Sequence, residues 1–255
     1  MIYVGTSGFS YEDWVGPYYP PSLSKNDWLT FYAKEFSTLE INYTYYRMPT
    51  AKTLAGMARK TPSGFLFTIK TPQEMTHTRE AEPALFAQFV EALKPLRDEN
   101  KFGAVLAQFP HSFHNIPDNL AYLKAFRERL RDLPVVIEFR DAQWLGAKTF
   151  AFLREQQLGF CCVDEPRLKG LLPPIAEATS QVAYVRFHGR NAAKWWEHAQ
   201  AYERYDYTYP KAELEEWTPQ IQKLNQLAET VFVFANNHYR AQGIDTARQL
   251  RLLLE

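Results

Sequence analysis

Short runs rich in β-branched and aromatic residues recur along the chain at 2–6, 38–42, 65–70, 104–108, 135–139, 160–164, 183–188 and 231–236, and each reads as a strand. Between most of them the apolar residues change to a helical period. Leu85, Phe86, Phe89, Val90, Leu93 and Leu96 form one such stripe, and Leu120, Leu123, Phe126 and Leu130 another. Leu214, Trp217, Ile221 and Leu224 repeat the pattern, as do Ile244, Ala247, Leu250 and Leu254. The weakest segment is 167–181, where the helix is short or absent. Strand–helix alternation of this kind implies parallel strands joined by right-handed crossovers. About eight repeats favour an α/β fold closed into a (β/α)8 TIM-type barrel over an open sheet.

Side chains alternate faces along a strand, so residues two apart share a face. Glu40 and Asn42 share parity with Thr38, Glu138 and Arg140 with Val136, and Arg186 with His188. Lys70 follows Thr68, Gln108 follows Leu106, Asp164 follows Cys162, and Asn236 follows Phe234. Strand after strand, one face stays apolar while the other turns polar only near its C-terminal end. In a parallel barrel the outward face meets helices, and the inward positions at the top line the active site. The pattern therefore predicts a polar pocket at the C-terminal mouth.

Length and composition agree. The 255 residues match the roughly 250 of a typical barrel, and no linker or repeat divides them, so 1–255 reads as one domain. Hydrophobic residues at 46% and charged residues at 23% are ordinary for a globular chain with a substantial core. The 29 basic and 29 acidic residues cancel, which argues against a global field that would draw the chain to nucleic acid or an acidic membrane. No apolar run reaches the length of a membrane span, and Met1–Gly5 enters a strand without the features of a signal peptide. The only cysteines, Cys161 and Cys162, are adjacent and mid-strand, which fits inert packing in a reducing compartment. A cytoplasmic protein is the expectation.

Within the predicted mouth, Glu40, Glu138 and Asp164 stand against Lys70, Arg140 and Arg186, and His188 adds a group that titrates near neutral pH. This balance is a poor bare metal cage, since divalent sites need an excess of deprotonated ligands. No cofactor is predicted, and a divalent metal serving a hydrolase or isomerase is held as an alternative. The pocket suits a small anionic or polyhydroxylated molecule, clamped by the cations, with carboxylates moving protons. Glu138, Glu40, His188 and Asp164 are the catalytic candidates. Asn42, Lys70, Gln108, Arg140, Arg186, Asn236 and Asn237 are the binding candidates. Glu138 is the preferred base, because Arg140 on the same face lowers its pKa. Two readings without catalysis stay open: a structural ion-pair network, and a binder of a metabolite or nucleic acid. Oligomeric state is not legible.

Two aromatic loops, 7–25 and 191–210, either cover the pocket or pack on the barrel. Asn236 and Asn237 precede the last helix, either as its N-cap or as part of an anion site. His77 follows the third strand, and His111 and His114 lie in a Pro-flanked loop.

Several blocks in order, GTSGFSYEDW at 5–14, FSTLEINYTYYRMP at 36–49, IEFRDAQW at 137–144, YVRFHGR at 184–190 and FANN at 234–237, resemble the domain of unknown function 72 family, also called YecE-like. The resemblance spans nearly the whole chain. It implies a TIM-type barrel and no settled activity, and it carries Glu40, Asn42, Glu138, Arg140, Arg186, His188, Asn236 and Asn237 as hallmark positions. A shared fold does not identify a reaction.

Overall fold

Eight parallel strands form one nearly closed barrel in the order β1-β8-β7-β6-β5-β4-β3-β2. They are β1 (Ile2–Thr6), β2 (Thr38–Ile41), β3 (Leu66–Lys70), β4 (Phe102–Gln108), β5 (Val135–Glu138), β6 (Leu158–Asp164), β7 (Val182–Phe187) and β8 (Thr230–Ala235). The computed structural model describes residues 1–255, the side chain of Ala201 excepted. The intervening helices are α1 (Trp28–Tyr32), α2 (Ala51–Arg59), α3 (Gln73–Thr76), α4 (Pro83–Ala92), α5 (Lys94–Asp98), α6 (Pro117–Arg129), α7 (Ala147–Glu155), α8 (Lys211–Glu215), α9 (Thr218–Leu227) and α10 (Gln242–Leu254). No described helix is long and apolar enough to cross a membrane.

The strands lie where the apolar runs predicted them, within two residues at each end. Two helices differ. The stripe from Leu85 to Leu96 is broken into α4 and α5 at Leu93, with Pro95 in the first turn of the second piece. The stripe from Leu214 to Leu224 is likewise broken into α8 and α9, with Pro219 in the first turn of α9. Proline lacks the N–H that a continuous helix would use there and is tolerated only in a first turn, so each proline starts a new helix while the apolar side chains stay in phase. No α-helix lies between β6 and β7. That crossover is the irregular segment 165–181, as its weak periodicity predicts.

The barrel's seam lies between β1 and β2. Only a short bridge, Ser7 with Glu40, pairs these chains, with Gly8 N–H donating to the Glu40 carbonyl at 2.8 Å. Below it the Tyr32 hydroxyl, from α1, takes the place of a ladder. It accepts from Thr6 N–H at 2.9 Å and donates to the Thr38 carbonyl at 3.0 Å. Gly5 is required beside it, because a Cβ there would come within 2.4 Å of the same carbonyl oxygen.

The interior is layered. Tyr3 and Tyr184 pack on the ring of Phe232, which fits because β4 carries Gly103, where a Cβ would meet that ring at 2.6 Å. Phe234 stacks above Phe232, 5.9 Å between centroids. The Tyr184 hydroxyl then donates upward to Glu40 Oε2 at 2.7 Å and contacts Thr68 Oγ1 at 2.8 Å. An aromatic plug thus supports a charged layer near the strand ends.

Tyr32→Phe leaves Thr6 N–H and the Thr38 carbonyl without a partner at the buried seam. We expect a loss of about 2 kcal/mol, read as a lower denaturant midpoint with an unchanged m-value.

Candidate active site

Arg186 occupies the centre of the charged layer. It ends the inward face of β7, and its Nε and Nη2 donate to Glu40 Oε2 and Oε1 at 3.0 and 2.6 Å. Its Nη1 donates to Glu138 Oε2 at 2.6 Å, so one guanidinium joins side chains from β2, β5 and β7. All three residues are almost completely buried.

Glu138 is the second hub. Its other oxygen, Oε1, lies 2.6 Å from Arg140 Nε and 3.2 Å from His188 Nε2. These three atoms lack directed hydrogen-bond geometry, so they meet as charges and dipoles in close contact. Burial alone would raise the Glu138 pKa, but Arg140, Arg186 and His188 outweigh it and hold the carboxyl well below the usual range. Arg140 also donates through Nη1 to Glu165 Oε2 at 3.1 Å. Burial pushes Glu165 up to about 7, against the pull of Arg140.

The expectation that His188 titrates near neutral pH is corrected. Its ring is completely buried, and burial together with Arg140 drives its pKa well below the ordinary value, so it stays neutral. Nδ1 rests 2.9 Å from Asn236 Nδ2 and, as the acceptor of that amide, leaves the ring proton on Nε2 facing Glu138.

Above this layer opens a cavity of about 740 Å³. Its floor and walls include Lys70, Arg140, Arg186 and Arg204, with His77, His111, His198 and His238 around them. Among the described residues no aspartate or glutamate lines it. The charge balance expected from the sequence is therefore corrected: Asp164 takes no part in it, Glu40 and Glu138 lie beneath, Glu165 braces Arg140 from the end of β6, and the cations face the opening. Among the described residues no three acidic, histidine or cysteine side chains gather in a metal-holding group.

Lys70 has a distinct setting. Its Nζ donates to Gln108 Oε1 at 2.9 Å and sits 4.5 Å from the centre of the Tyr45 ring. Gln108 is itself fixed by donating through Nε2 to the Phe109 carbonyl at 2.8 Å. Burial and then the Arg186 charge push the Lys70 amine down to about 7, with Glu138 and Glu40 opposing. Burial and the charges of Lys70 and Arg140 push His77 down to about 4, so it is neutral.

The structure gathers most of the predicted residues but not all. Asn42, Lys70, Gln108, Arg140, Arg186 and Asn236 line the cavity. Glu40, Glu138 and His188 lie under the floor. Asp164 is elsewhere. It accepts from Arg190, from the Tyr209 hydroxyl at 2.6 Å and from Trp217 Nε1 at 2.7 Å, on the helix side of β6. The inward residues are Cys161, whose Sγ is 4.0 Å from Glu138 Oε2, and Glu165, because β6 runs one residue out of the expected phase. Asn237 also faces away, donating to the Tyr207 carbonyl and to Thr246 Oγ1. Neither it nor Asn236 caps α10, whose entry runs through left-handed Arg240 and Ala241 instead, φ 49° and 64°.

The loops supply what parity could not reach. Tyr11, Tyr45 and Tyr46 come from the first two βα loops. Trp195, Trp196, Tyr202, Arg204 and Tyr205 come from the seventh. The Trp195 ring lies 5.8 Å from the Arg140 guanidinium and 5.4 Å from that of Arg204. Loop 7–25 mainly packs, with Trp14 and Tyr19 fully buried, whereas Tyr11 alone among its aromatics reaches the cavity.

Residues 3–255 match the family model described as "Protein of unknown function DUF72". The UPF0759 protein YunF of Bacillus subtilis is 30% identical over 275 residues, spanning 100% of this chain and 95% of that one. A crystal structure of a DUF72 family protein from Thermotoga maritima superposes with a TM-score of 0.90 at 39% identity, over 100% of this chain and 99% of the other. A DUF72 family protein from Enterococcus faecalis gives 0.89 at 28% identity, over 100% and 95%.

Two variants test the layer. Glu40→Gln strips Arg186 of one of its two carboxylates and sets an amide against the guanidinium; we expect it to cost roughly 3–5 kcal/mol in chemical denaturation. For Lys70 the folded state disfavours the ammonium. Its burden is full below about pH 7 and fades as the pH rises toward 10.5, the ordinary lysine value. Lys70→Met is therefore expected to be more stable than the parent at about pH 6, with the difference narrowing by about pH 10 in parallel thermal melts.

Proposed function

The chain belongs to the DUF72 family of proteins of unknown function, and from the chemistry of its cavity we propose that it is an enzyme acting on a small anionic substrate by electrostatic and acid–base catalysis. The observation that carries this reading is the lining: four cationic side chains and no carboxylate among the described residues. Such a surface favours bound negative charge and stabilises charge that develops on a substrate oxygen.

In this reading the buried carboxylates position rather than react. Glu40 and Glu138 hold Arg186, while Glu138 and Glu165 hold Arg140, so the guanidiniums need no reorganisation when an anion arrives. Arg140 keeps its Nη2 donors free of any protein partner among the described residues and is the foremost anion ligand. The side chains that face the cavity and can move protons include Lys70 and His77, with His111, His198 and His238 around them; Glu138, pinned between two guanidiniums, is a poor base. The aromatic walls suit a flat or ring-bearing body next to the anionic group.

Thermal melts with inorganic phosphate, pyrophosphate, citrate and a neutral sugar provide the first test. The anions are expected to raise the Tm saturably, the sugar to leave it unchanged, and Arg204→Gln, at the rim, to weaken anion binding about tenfold (~1.4 kcal/mol). A pool of anionic metabolites incubated with the protein is expected to show one component consumed. Stabilisation by the sugar alone, or no consumption from the pool, overturns the proposal.

A further inference from the structure

Lys70 stands apart from the other floor cations. Arg140 and Arg186 each contact two carboxylates. Lys70 has none within ion-pairing distance among the described residues, and its single hydrogen bond goes to a neutral amide oxygen. That oxygen is oriented by the Gln108 bond to the Phe109 carbonyl, so it holds the amine in place while favouring the ammonium less than a carboxylate would. Tyr45 covers one side of Nζ. The open side of the amine faces the cavity, with the Arg140 and Arg186 guanidiniums in the same floor.

We propose that Lys70 is a nucleophilic amine that condenses with the carbonyl group of a small oxo acid whose acidic group rests on the floor arginines. The proposal rests on the anion pocket described above and adds a covalent step to it. The Nζ lone pair adds to the carbonyl carbon, and one N–H proton passes to the carbonyl oxygen. The resulting carbinolamine loses its hydroxyl together with the second N–H proton as water, which leaves a C=N bond. Protonation of that nitrogen from solvent gives an iminium that withdraws electrons from the neighbouring carbon, and water reverses the sequence. No oxidant or reductant takes part.

The surroundings favour this use. A lysine becomes a nucleophile when desolvation and a neighbouring cation keep it unprotonated. Both act here, through burial of the amine and through Arg186 and Arg140, while Glu138 and Glu40 from beneath and the Tyr45 ring face oppose, and His77 is neutral. With the amine at about 7, its unprotonated fraction at neutral pH is roughly 1,000-fold that of a solvated lysine.

The test is reductive trapping. The protein is incubated at pH 7 with pyruvate and cyanoborohydride, then digested and mapped by mass spectrometry, with hydroxyacetone as the uncharged control. The expected result is an adduct on the Lys70 peptide formed at least about 100-fold faster than on any other lysine. It should be slowed by phosphate, weak with hydroxyacetone, absent in Lys70→Met, and level in rate above about pH 7 to 8. Adducts spread evenly over surface lysines, or a rate still climbing toward pH 10, overturn it. Thermal melts with pyruvate and no reductant separate the two proposals. Stabilisation without a trapped adduct overturns the covalent step and leaves the anion pocket standing, whereas absence of both overturns both.

Discussion

One guanidinium holds the top of this barrel together. Arg186 spans from β7 to carboxylates on β2 and β5, strands that are not its neighbours in the sheet. It therefore fixes distances across the barrel that backbone ladders do not control. Removing any member leaves an uncompensated charge in a nearly dry layer, and breaking a buried pair is far more damaging than never having built it. Such a layer is a poor way to gain stability, since well-packed apolar residues would serve as well or better. What the charges provide is a rigid cationic surface at one defined depth.

That depth has a cause below it. The aromatic plug of Tyr3, Tyr184, Phe232 and Phe234 fills the lower barrel, and the Tyr184 hydroxyl ties it to Glu40. The plug excludes water from beneath, so the acids find compensation only sideways and upward, in the arginines. The arginines in turn face the opening with donors to spare. The segregation of charge, acids below and cations above, follows from burial on one side and solvent on the other.

Much of this was legible in the sequence, and the failures have specific reasons. Parity along each strand selected Glu40, Glu138, Arg186, His188 and Asn236, because polar side chains in otherwise apolar strands can face inward only at the top. It failed at β6, where Asp164 and Glu165 are adjacent and both acidic. Counting from Cys162 chose the residue that braces Arg190, Tyr209 and Trp217, whereas counting from Cys161 would have chosen the one beside Arg140. Asn237 was a candidate through the family resemblance and not through parity, and it faces away from the cavity, as alternation from Asn236 would have it. Depth was illegible throughout. A two-residue period says which face a side chain takes, not whether an arginine will roof it, so Glu138 read as a base when it is a counterion. The loop residues Arg204, Trp195 and Tyr205 carry no periodic signal at all.

The buried carboxylates and the half-buried Lys70 are two answers to one electrostatic problem. Beneath the floor, Glu40 and Glu138 are each met by a guanidinium, and Arg140 and Arg186 hold the Glu138 carboxyl well below the usual range. Lys70 shares the same field but lacks a carboxylate partner, so burial and the charges of Arg186 and Arg140 outweigh the opposing pull of Glu138 and Glu40 and destabilise its ammonium. The network that immobilises its neighbours leaves Lys70 the one floor cation with no carboxylate partner among the described residues. An arginine at that site could not play the part, since its guanidinium would stay protonated where the lysine amine does not.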